Sequence, residues 1–328
     1  GRDQYLFSAH AESDGTASVV NNLFVDNLER RWLKPAPPGL ERDAVPRTAE
    51  MQAVLEALAA RESVAITGQA AKAQTLAVQG APGVGKTTLA HLLALQLAEG
   101  ERYRDGVIWL ELGPDFRSPD QAQAVLRTWA GYATGFFGLP DNLNQRFTFE
   151  PEAVRSLLAE HARLLVVLDN VWSLAAIKPL RAALPAGAQL LITTRQRDLA
   201  QNMGGGLVEV GLLSREDALA LFELRLGWRP AEGADGDGWA GDLARAVGFH
   251  PLGLDVALGV LLKYGDGAAD WDQSARRLIA AVQSGEVERL HLGDDDPGHN
   301  VKAVILFSYR ALPDDETRRR LRTLAAFA

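Results

Sequence analysis

The sequence predicts an α/β fold in which a parallel β-sheet lies between two layers of helices and is followed by an all-helical domain. Short apolar runs typical of buried strands alternate with helical patterns up to Gly211, and only helical patterns come after it. Strands that alternate with helices pair in parallel through right-handed crossovers. The length of 328 residues exceeds what one ordinary core contains, so we expect two or three domains.

The first predicted elements lead into a glycine-rich loop. An amphipathic helix is predicted from Thr48 to Leu58, and the first strand from Gln74 to Gln79. After the strand comes the segment Gly80-Ala81-Pro82-Gly83-Val84-Gly85-Lys86-Thr87-Thr88. Its glycines let the backbone turn its N–H groups towards an anion, and the N-terminus of the next helix adds a positive partial charge.

This segment matches the complete G-x-x-x-x-G-K-[ST] pattern, which indicates a phosphate-binding P-loop. In this interpretation Lys86 reaches the β- and γ-phosphates, the Thr87 hydroxyl ligates Mg²⁺ and Thr88 touches the α-phosphate. The alternative is a strand-to-helix turn that binds nothing. The apolar strand before the loop and the apolar helix after it favour nucleotide binding.

Four further strands are predicted, and the ends of two of them carry polar residues. Ligands gather at the carboxyl ends of the strands in such a sheet, so these residues are candidates for the same site. The third strand ends in Asp169-Asn170, and the fourth in Thr193-Thr194-Arg195. The predicted strands are Gly106 to Leu112, Leu164 to Leu168, Gln189 to Thr193 and Leu207 to Val210.

Asp169 is expected to hold Mg²⁺ together with Thr87, because a hard cation on phosphates prefers oxygen ligands. The neighbouring residue is Asn170, whose amide can orient a water molecule but cannot accept its proton. We therefore predict slow or negligible hydrolysis by the isolated chain; the alternative is that another residue supplies the base. Arg195 is placed to sense a terminal phosphate with its permanently charged guanidinium, or else forms a structural salt bridge.

The helical part begins with Ser214 as the N-cap of a helix from Arg215 to Gly227. Pro251 lies at or before the first turn of a later helix, where proline is favoured, and the adjacent His250 is interpreted as structural. The remaining helices are predicted at Trp239 to Val247, Leu252 to Tyr264, Trp271 to Ala281 and Val301 to Leu312, with a last one from Asp314 onwards.

The composition excludes several other classes of protein. A net charge of -8 and a pI of about 5.4 argue against a broad nucleic-acid-binding surface. The chain has no cysteine, which excludes disulfides and cysteine-ligated zinc. Its densest apolar run, Val256 to Leu262, is too short to span a bilayer, and the N-terminus lacks a signal-peptide pattern. We therefore expect a soluble, cytoplasmic protein.

Taken in order, the motifs resemble the NB-ARC (AP-ATPase) branch of the STAND NTPases, which includes apoptosome-forming factors, plant resistance proteins and bacterial regulators. The resemblance covers about residues 45 to 328. Its motifs are Val45-Pro46-Arg47, the P-loop, Gly106 to Leu110, Leu164 to Trp172, Leu191 to Arg195, Leu213 to Phe222, Gly248 to Leu254 and Phe307 to Leu312.

The resemblance implies a nucleotide site for ADP or ATP with Mg²⁺. It implies that Pro251 packs on the adenine, that the backbone around Val45 and Arg47 lines the base pocket, and that Arg195 is a phosphate sensor. Lys86, Asp169 and Arg195 are then the candidate catalytic residues, with Asn170 in place of a second acid. The implied domains are an N-terminal segment (1–45), a P-loop domain (46–211), a helical domain (212–298) and the start of a winged-helix domain (299–328).

The function that the resemblance implies is a switch, in which ADP holds a closed state and ATP favours an open state that self-associates in the full-length protein. We expect this chain to be a regulatory core cut from a larger protein, with effector and sensor domains that the sequence does not identify. An AAA+-like motor with continuous turnover is the alternative. A third possibility is a scaffold that holds ADP without exchange.

Overall fold

The computed structural model describes residues 44–60, 74–134, 149–203, 206–227, 238–264 and 268–283. The sequence also predicts a helix from Val19 to Leu33 in the N-terminal segment. This helix and the two predicted in the winged-helix part, Val301 to Leu312 and the one from Asp314 onwards, lie outside the described residues. The chain divides into two compact units. Of the described residues, the first unit holds 48–60, 74–82, 86–134, 149–203 and 206–210, and the second holds 44–47, 83–85, 211–227, 238–264 and 268–283.

The first unit is built on a five-stranded sheet in the order β2-β3-β4-β1-β5, in which every neighbouring pair is parallel. This sheet confirms the predicted α/β class, and its strands match the predicted ones to within one or two residues. The strands are β1 (Gln74–Gln79), β2 (Gly106–Glu111), β3 (Leu164–Asp169), β4 (Gln189–Thr194) and β5 (Gly206–Glu209).

Six α-helices accompany these strands in the described part of the first unit. The sequence pattern predicts the third helix as Gln121 to Tyr132 and the fourth as Glu152 to Glu160, but it predicts neither the fifth nor the sixth. The fifth contains Pro179, which argues against a helix, and the sixth is too short to show a helical period. The helices are α1 (Thr48–Ala59), α2 (Lys86–Ala98), α3 (Ala122–Thr134), α4 (Pro151–Leu157), α5 (Leu174–Ala182) and α6 (Arg197–Asn202).

The two faces of the sheet pack against different helices, because side chains alternate along a strand. On one face, residues such as Leu110, Val166 and Ile192 join the core formed with α3, α4, α5 and α6. On the other face, α2 contacts β1, β2, β3 and β4, and the ring of His91 in α2 lies 5.6 Å from that of Trp109 in β2. The α2 helix therefore covers the face of the sheet that carries the Trp109 side chain.

The second unit is helical in its described part after Gly211, as predicted. Ser214 caps its first helix, with its Oγ accepting a hydrogen bond from the Asp217 N–H at 3.0 Å, and the helix ends at Gly227 in a left-handed conformation. A core that includes Phe222, Leu243 and Leu258 joins the helices. They are α7 (Arg215–Leu226), α8 (Gly238–Ala246), α9 (Pro251–Tyr264) and α10 (Ala268–Gln283). Among the described residues, none of the helices has both the length and the apolar character that a membrane span requires.

Candidate functional site

The P-loop connects β1 to α2, and its backbone requires glycine at two positions. Gly83 and Gly85 have φ angles of 72° and 92°, a region that side chains disfavour. Lys86 is the first residue of α2 and Thr87 the second. The loop therefore presents its backbone and the positive end of α2 to the same space, which is the arrangement that binds phosphate groups.

Thr87 and Asp169 meet at the carboxyl edge of the sheet. The Thr87 Oγ1 lies 3.0 Å from both carboxylate oxygens of Asp169, and the Thr193 Oγ1 donates to Asp169 Oδ1 at 2.5 Å. Asp169 is only 1% exposed. Burial raises the pKa of its carboxyl group above the ordinary value, while the hydrogen bonds from Thr193 and Thr87 act in the opposite direction.

These donors fit a magnesium ion. In the described part of the chain, no group of three or more His, Asp or Glu side chains is placed to hold a metal. One hydroxyl and one carboxylate are, however, the protein ligands that Mg²⁺ uses when phosphates and water complete its octahedron. The pair of Thr87 and Asp169 is thus suited to Mg²⁺ that arrives with a nucleotide.

Lys86 is held inside the P-loop. Its Nζ donates to the Ala81 carbonyl oxygen at 2.7 Å, and the residue is 7% exposed. The pKa of Lys86 is lowered to about 8, chiefly by burial and next by the charge of Arg195, with the Asp169 carboxylate acting in the opposite direction. The charges of Lys86, Asp169 and Arg195 therefore act on one another at this edge of the sheet.

Arg195 follows β4 and is exposed. Its Cζ lies 5.5 Å from the centroid of the Trp172 ring. Within the described residues it forms no ion pair, whereas the neighbouring Arg197 pairs with Glu209 at 2.8 Å. The structural salt bridge considered for Arg195 is therefore absent from the described part of the chain, and its guanidinium is placed where its charge acts on Lys86.

Asn170 has a defined local role. Its φ angle is 57°, in the left-handed region that asparagine tolerates better than most residues. Its N–H donates to Thr193 Oγ1 at 2.8 Å, and its Oδ1 accepts a hydrogen bond from Trp172 Nε1 at 2.9 Å. The amide oxygen of Asn170 is thus bonded to an indole. Sequence reasoning missed this contact, because nothing in the dipeptide Asp169-Asn170 predicts where the amide points.

Glu111 is a second carboxylate beside Asp169 that the sequence did not reveal. The two residues are paired in register at the ends of β2 and β3. Since Trp109 faces α2 and side chains alternate, Glu111 lies on that same face. Its charge contributes to the raised pKa of Asp169. The signal for it is the adjacency of β2 and β3, which a single sequence does not supply.

In the second unit, the side chain of Arg47 binds three backbone carbonyls. Its Nη1 donates to Val84 O at 2.9 Å and to Gly211 O at 3.0 Å, and its Nη2 donates to Leu212 O at 2.8 Å. Arg47 is 5% exposed. The sequence pointed to the backbone here, whereas the structure shows that the side chain joins three distant parts of the chain. Val45, the other predicted residue of this segment, packs on the helical core.

The start of α9 also belongs to this unit. Pro251 is the first residue of α9 and is half-buried. A Cβ atom on Gly83 would lie 2.8 Å from Cε1 of the buried His250 and 3.1 Å from Cβ of Leu252. The tip of the P-loop therefore has no room for a side chain at position 83. His250 was interpreted as structural, and its close approach to Gly83 gives it a packing role.

A parallel sheet of this order, with a P-loop after its β1 strand and a buried aspartate at the end of the β3 strand, defines a P-loop NTPase. The NB-ARC domain model matches residues 49–231, which is more than half of the chain. The chain belongs to the NB-ARC family, and the resemblance deduced from its motifs is confirmed.

Two curated relatives illustrate the family. The regulatory protein AfsR of Streptomyces griseus is 32% identical over 239 residues, which are 72% of this chain and 22% of the relative. The probable disease resistance protein At1g15890 of Arabidopsis thaliana is 25% identical over 251 residues, 75% of this chain and 27% of the relative. The chain thus spans about a quarter of the length of these relatives.

Among solved structures, that of PCH-2 from C. elegans superposes with a TM-score of 0.47 at 14% identity, covering 76% of this chain and 73% of that chain.

Proposed function

We propose that this chain is the nucleotide-dependent switch core of a larger signalling protein, binding ADP in one state and ATP with Mg²⁺ in another. The observation that carries the proposal is the convergence of Lys86, Thr87, Asp169 and Arg195 at one edge of the sheet. Family membership supports nucleotide binding. The regulatory and disease-resistance roles in the names of the relatives support signalling.

Each residue has a distinct part in this proposal. The loop from Pro82 to Thr88 surrounds the phosphates, and Lys86 leaves the Ala81 carbonyl to bind the β- and γ-phosphates. Thr87 and Asp169 hold Mg²⁺, which neutralises phosphate charge, and the Thr193 hydroxyl keeps the Asp169 carboxylate in place. Arg195 contacts the γ-phosphate, which ATP has and ADP lacks.

Switching needs a difference in affinity between two states. A contact from Arg195 to the γ-phosphate supplies such a difference, because ADP lacks the group that it binds. We propose that Val45, Arg47 and Pro251 form the pocket for the base, as in the family. Asn170 cannot accept a proton from water, which supports slow or negligible hydrolysis and a long-lived ATP state.

The wider organisation is also part of the proposal. Residues 46–211 form the nucleotide-binding domain, 212–298 the helical domain and 299–328 the start of a winged-helix domain. In the full-length protein the ATP state self-associates and passes the signal to effector and sensor domains beyond this chain. The setting is the cytoplasm, where ATP and ADP are both abundant.

One observation favours the AAA+-like motor as the second candidate. Glu111 provides a carboxylate beside Asp169 that can accept a proton where Asn170 cannot. If Glu111 acts in this way, turnover is continuous and the chain is an ATPase with a mechanical task. The two candidates therefore differ in the rate of hydrolysis, and a measurement separates them.

The decisive experiment identifies the nucleotide that purified protein releases on denaturation and then measures its exchange and turnover with ATP and Mg²⁺. Tightly held ADP, slow exchange and turnover below about 1 s⁻¹, the low end of ordinary enzymes, support the switch. Faster turnover that Glu111→Gln abolishes supports the motor. Bound ADP that never exchanges supports a scaffold.

The matched control for this experiment compares two lysine variants. Lys86→Ala should lose bound nucleotide, whereas Lys178→Ala, at an exposed position of α5, should retain it. Equal nucleotide content in the two variants would contradict the assigned role of Lys86. Protein that neither contains nor binds any nucleotide would defeat all three functions.

A further inference from the structure

We propose that Trp172 is a positioning residue for Arg195: its indole face holds the guanidinium beside the phosphate site, and Asn170 fixes the orientation of the indole. This inference rests on the proposed function, in which Arg195 contacts the terminal phosphate of ATP. It also gives Asn170 a task other than the activation of water.

The first observation is the stacking of Arg195 on Trp172. The Arg195 Cζ is 5.5 Å from the ring centroid, within the range of a cation–π contact, and tryptophan is the best partner for such a contact. Arg195 is exposed, and in the described part of the chain no carboxylate pairs with it. A long exposed side chain without such support samples many rotamers, so the ring reduces the entropy that is lost when Arg195 binds a phosphate.

The second observation is that the ring itself is held. The Trp172 Nε1 donates to Asn170 Oδ1 at 2.9 Å, and Asn170 is fixed by its left-handed backbone and by the bond from its N–H to Thr193 Oγ1 at 2.8 Å. Since Thr193 also donates to Asp169, the ring that carries Arg195 is linked through two residues to the magnesium-binding carboxylate.

The third observation is that the segment after β3 is joined to the end of β4. The Val171 N–H donates to Thr193 O at 2.9 Å, and the Thr194 Oγ1 donates to Val171 O at 2.8 Å. Trp172 and Arg195 directly follow these bonded residues, Trp172 in the segment after β3 and Arg195 just past the end of the neighbouring β4. Their separation is therefore set by the sheet, and a ring at position 172 is suited to hold a guanidinium at position 195.

The test measures the affinities of ADP and of ATP, each with Mg²⁺, by calorimetry on the whole chain and its variants. An exposed cation–π contact corresponds to about a two- to fivefold change in an equilibrium constant. Trp172→Leu should therefore lower the affinity for ATP by about that factor and leave the affinity for ADP unchanged. Trp172→Phe, which keeps an aromatic face but loses the hydrogen bond to Asn170, should retain part of the preference.

Arg195→Ala separates failure of this inference from failure of the proposed function. This substitution should lower the affinity for ATP but not the affinity for ADP. In the double variant with Trp172→Leu, the affinity for ATP should fall no further. If Arg195→Ala lowers the preference for ATP but neither Trp172 variant does, the positioning role is wrong and the proposed function stands. If Arg195→Ala leaves the preference unchanged, both are wrong. If the melting curve shows that Trp172→Leu does not fold, Trp172→Phe and Asn170→Ala test the positioning role instead. The quantity compared is again the ratio of the affinity for ATP to the affinity for ADP.

Discussion

The hydroxyl of Thr193 donates to Asp169 Oδ1 at 2.5 Å and accepts from the Asn170 N–H at 2.8 Å, so one side chain of β4 fixes both the last residue of β3 and the residue that follows it. Thr193 is 1% exposed, and Asp169 is equally buried. Removal of the hydroxyl takes one hydrogen-bond donor from the buried Asp169 carboxylate and takes the acceptor from the part-buried Asn170 N–H. Thr193 thereby links the stability of the fold to the proposed magnesium site.

Thr193→Val keeps the shape of the side chain and removes this hydroxyl. We expect the free energy of unfolding to fall by about 1–3 kcal/mol, the cost of leaving a buried polar group unsatisfied, together with weaker Mg²⁺-dependent binding of ADP. Urea denaturation and calorimetry measure the two effects. The matched control is Thr128→Val on α3, where the hydroxyl bonds only to Ala124 O of its own helix, and its effect should stay within about 0.5 kcal/mol. An equal loss in both variants would contradict the role of Thr193.

Arg47→Ala removes the donor to three carbonyls, those of Val84, Gly211 and Leu212. We expect a loss of at least about 2 kcal/mol in the free energy of unfolding, because hydrogen bonds to a charged donor are worth more than neutral ones. Arg47→Lys should recover only part of the loss, since an ammonium group lacks the planar fork that reaches several acceptors. Denaturant unfolding of the three proteins checks the order, and full recovery by lysine would show that charge alone matters.

Gly83→Ala combines two unfavourable effects. The φ angle of 72° disfavours a side chain, and the new Cβ would lie 2.8 Å from Cε1 of His250. We expect a loss of stability above about 1 kcal/mol and weaker nucleotide binding. Gly259→Ala in α9 is the control: its Cβ meets nothing within 4 Å, so helix propensity should stabilise the protein by about 0.5–1 kcal/mol. Opposite signs for the two variants are the expected result in thermal unfolding.

The lowered pKa of Lys86 predicts how ADP binding depends on pH. In the nucleotide-free protein Lys86 loses its proton near pH 8, and the neutral amine offers no positive charge to phosphate. Above that pH, binding must include uptake of a proton, so the affinity should fall with rising pH, by at most about tenfold per unit. Calorimetry with ADP in EDTA from pH 7 to 9.5 tests this. Affinity that rises or stays constant above pH 8 would contradict it.

The same shift has a consequence for stability, with a definite sign. Because the folded protein binds the Lys86 proton less tightly than the unfolded chain does, the unfolded state holds more protons between about pH 8 and the ordinary lysine value. The contribution of Lys86 to the free energy of unfolding therefore increases with pH in that window. Below pH 8 the full penalty of burying the charge is present.

Much of the fold follows from the sequence because its central strands, β3 and β4, are buried on both faces. Runs such as Leu164 to Leu168 contain only apolar residues, and the P-loop fixes where β1 ends and α2 begins. The α5 helix escaped prediction because Pro179 argues against a helix locally, while the core around Ile177 and Leu180 overrides that preference. Burial in the tertiary structure here outweighs local propensity.

The site was only partly predictable for a different reason. The sequence alone contains motifs whose chemistry can be recognised, and these motifs include Lys86, Thr87 and Asp169. Glu111 becomes significant only once β2 is known to lie beside β3, and the bond from Trp172 to Asn170 depends on a left-handed backbone. Contacts between distant segments leave no local pattern in a single sequence.

The bonds of Arg47 bear on the order in which the chain assembles. The carbonyls of Gly211 and Leu212 are 164 and 165 residues further along than Arg47, so synthesis must pass them before the guanidinium finds all of its acceptors. Contacts between residues this far apart in the sequence slow folding, because the chain loses the conformational entropy of a long loop before the contact forms. The second unit, assembled from stretches near residues 45, 84 and 211, is therefore expected to mature last on the ribosome. A chain that ends before Gly211 would keep Val84 O as an acceptor for Arg47 but would lack the other two carbonyls that fix the guanidinium.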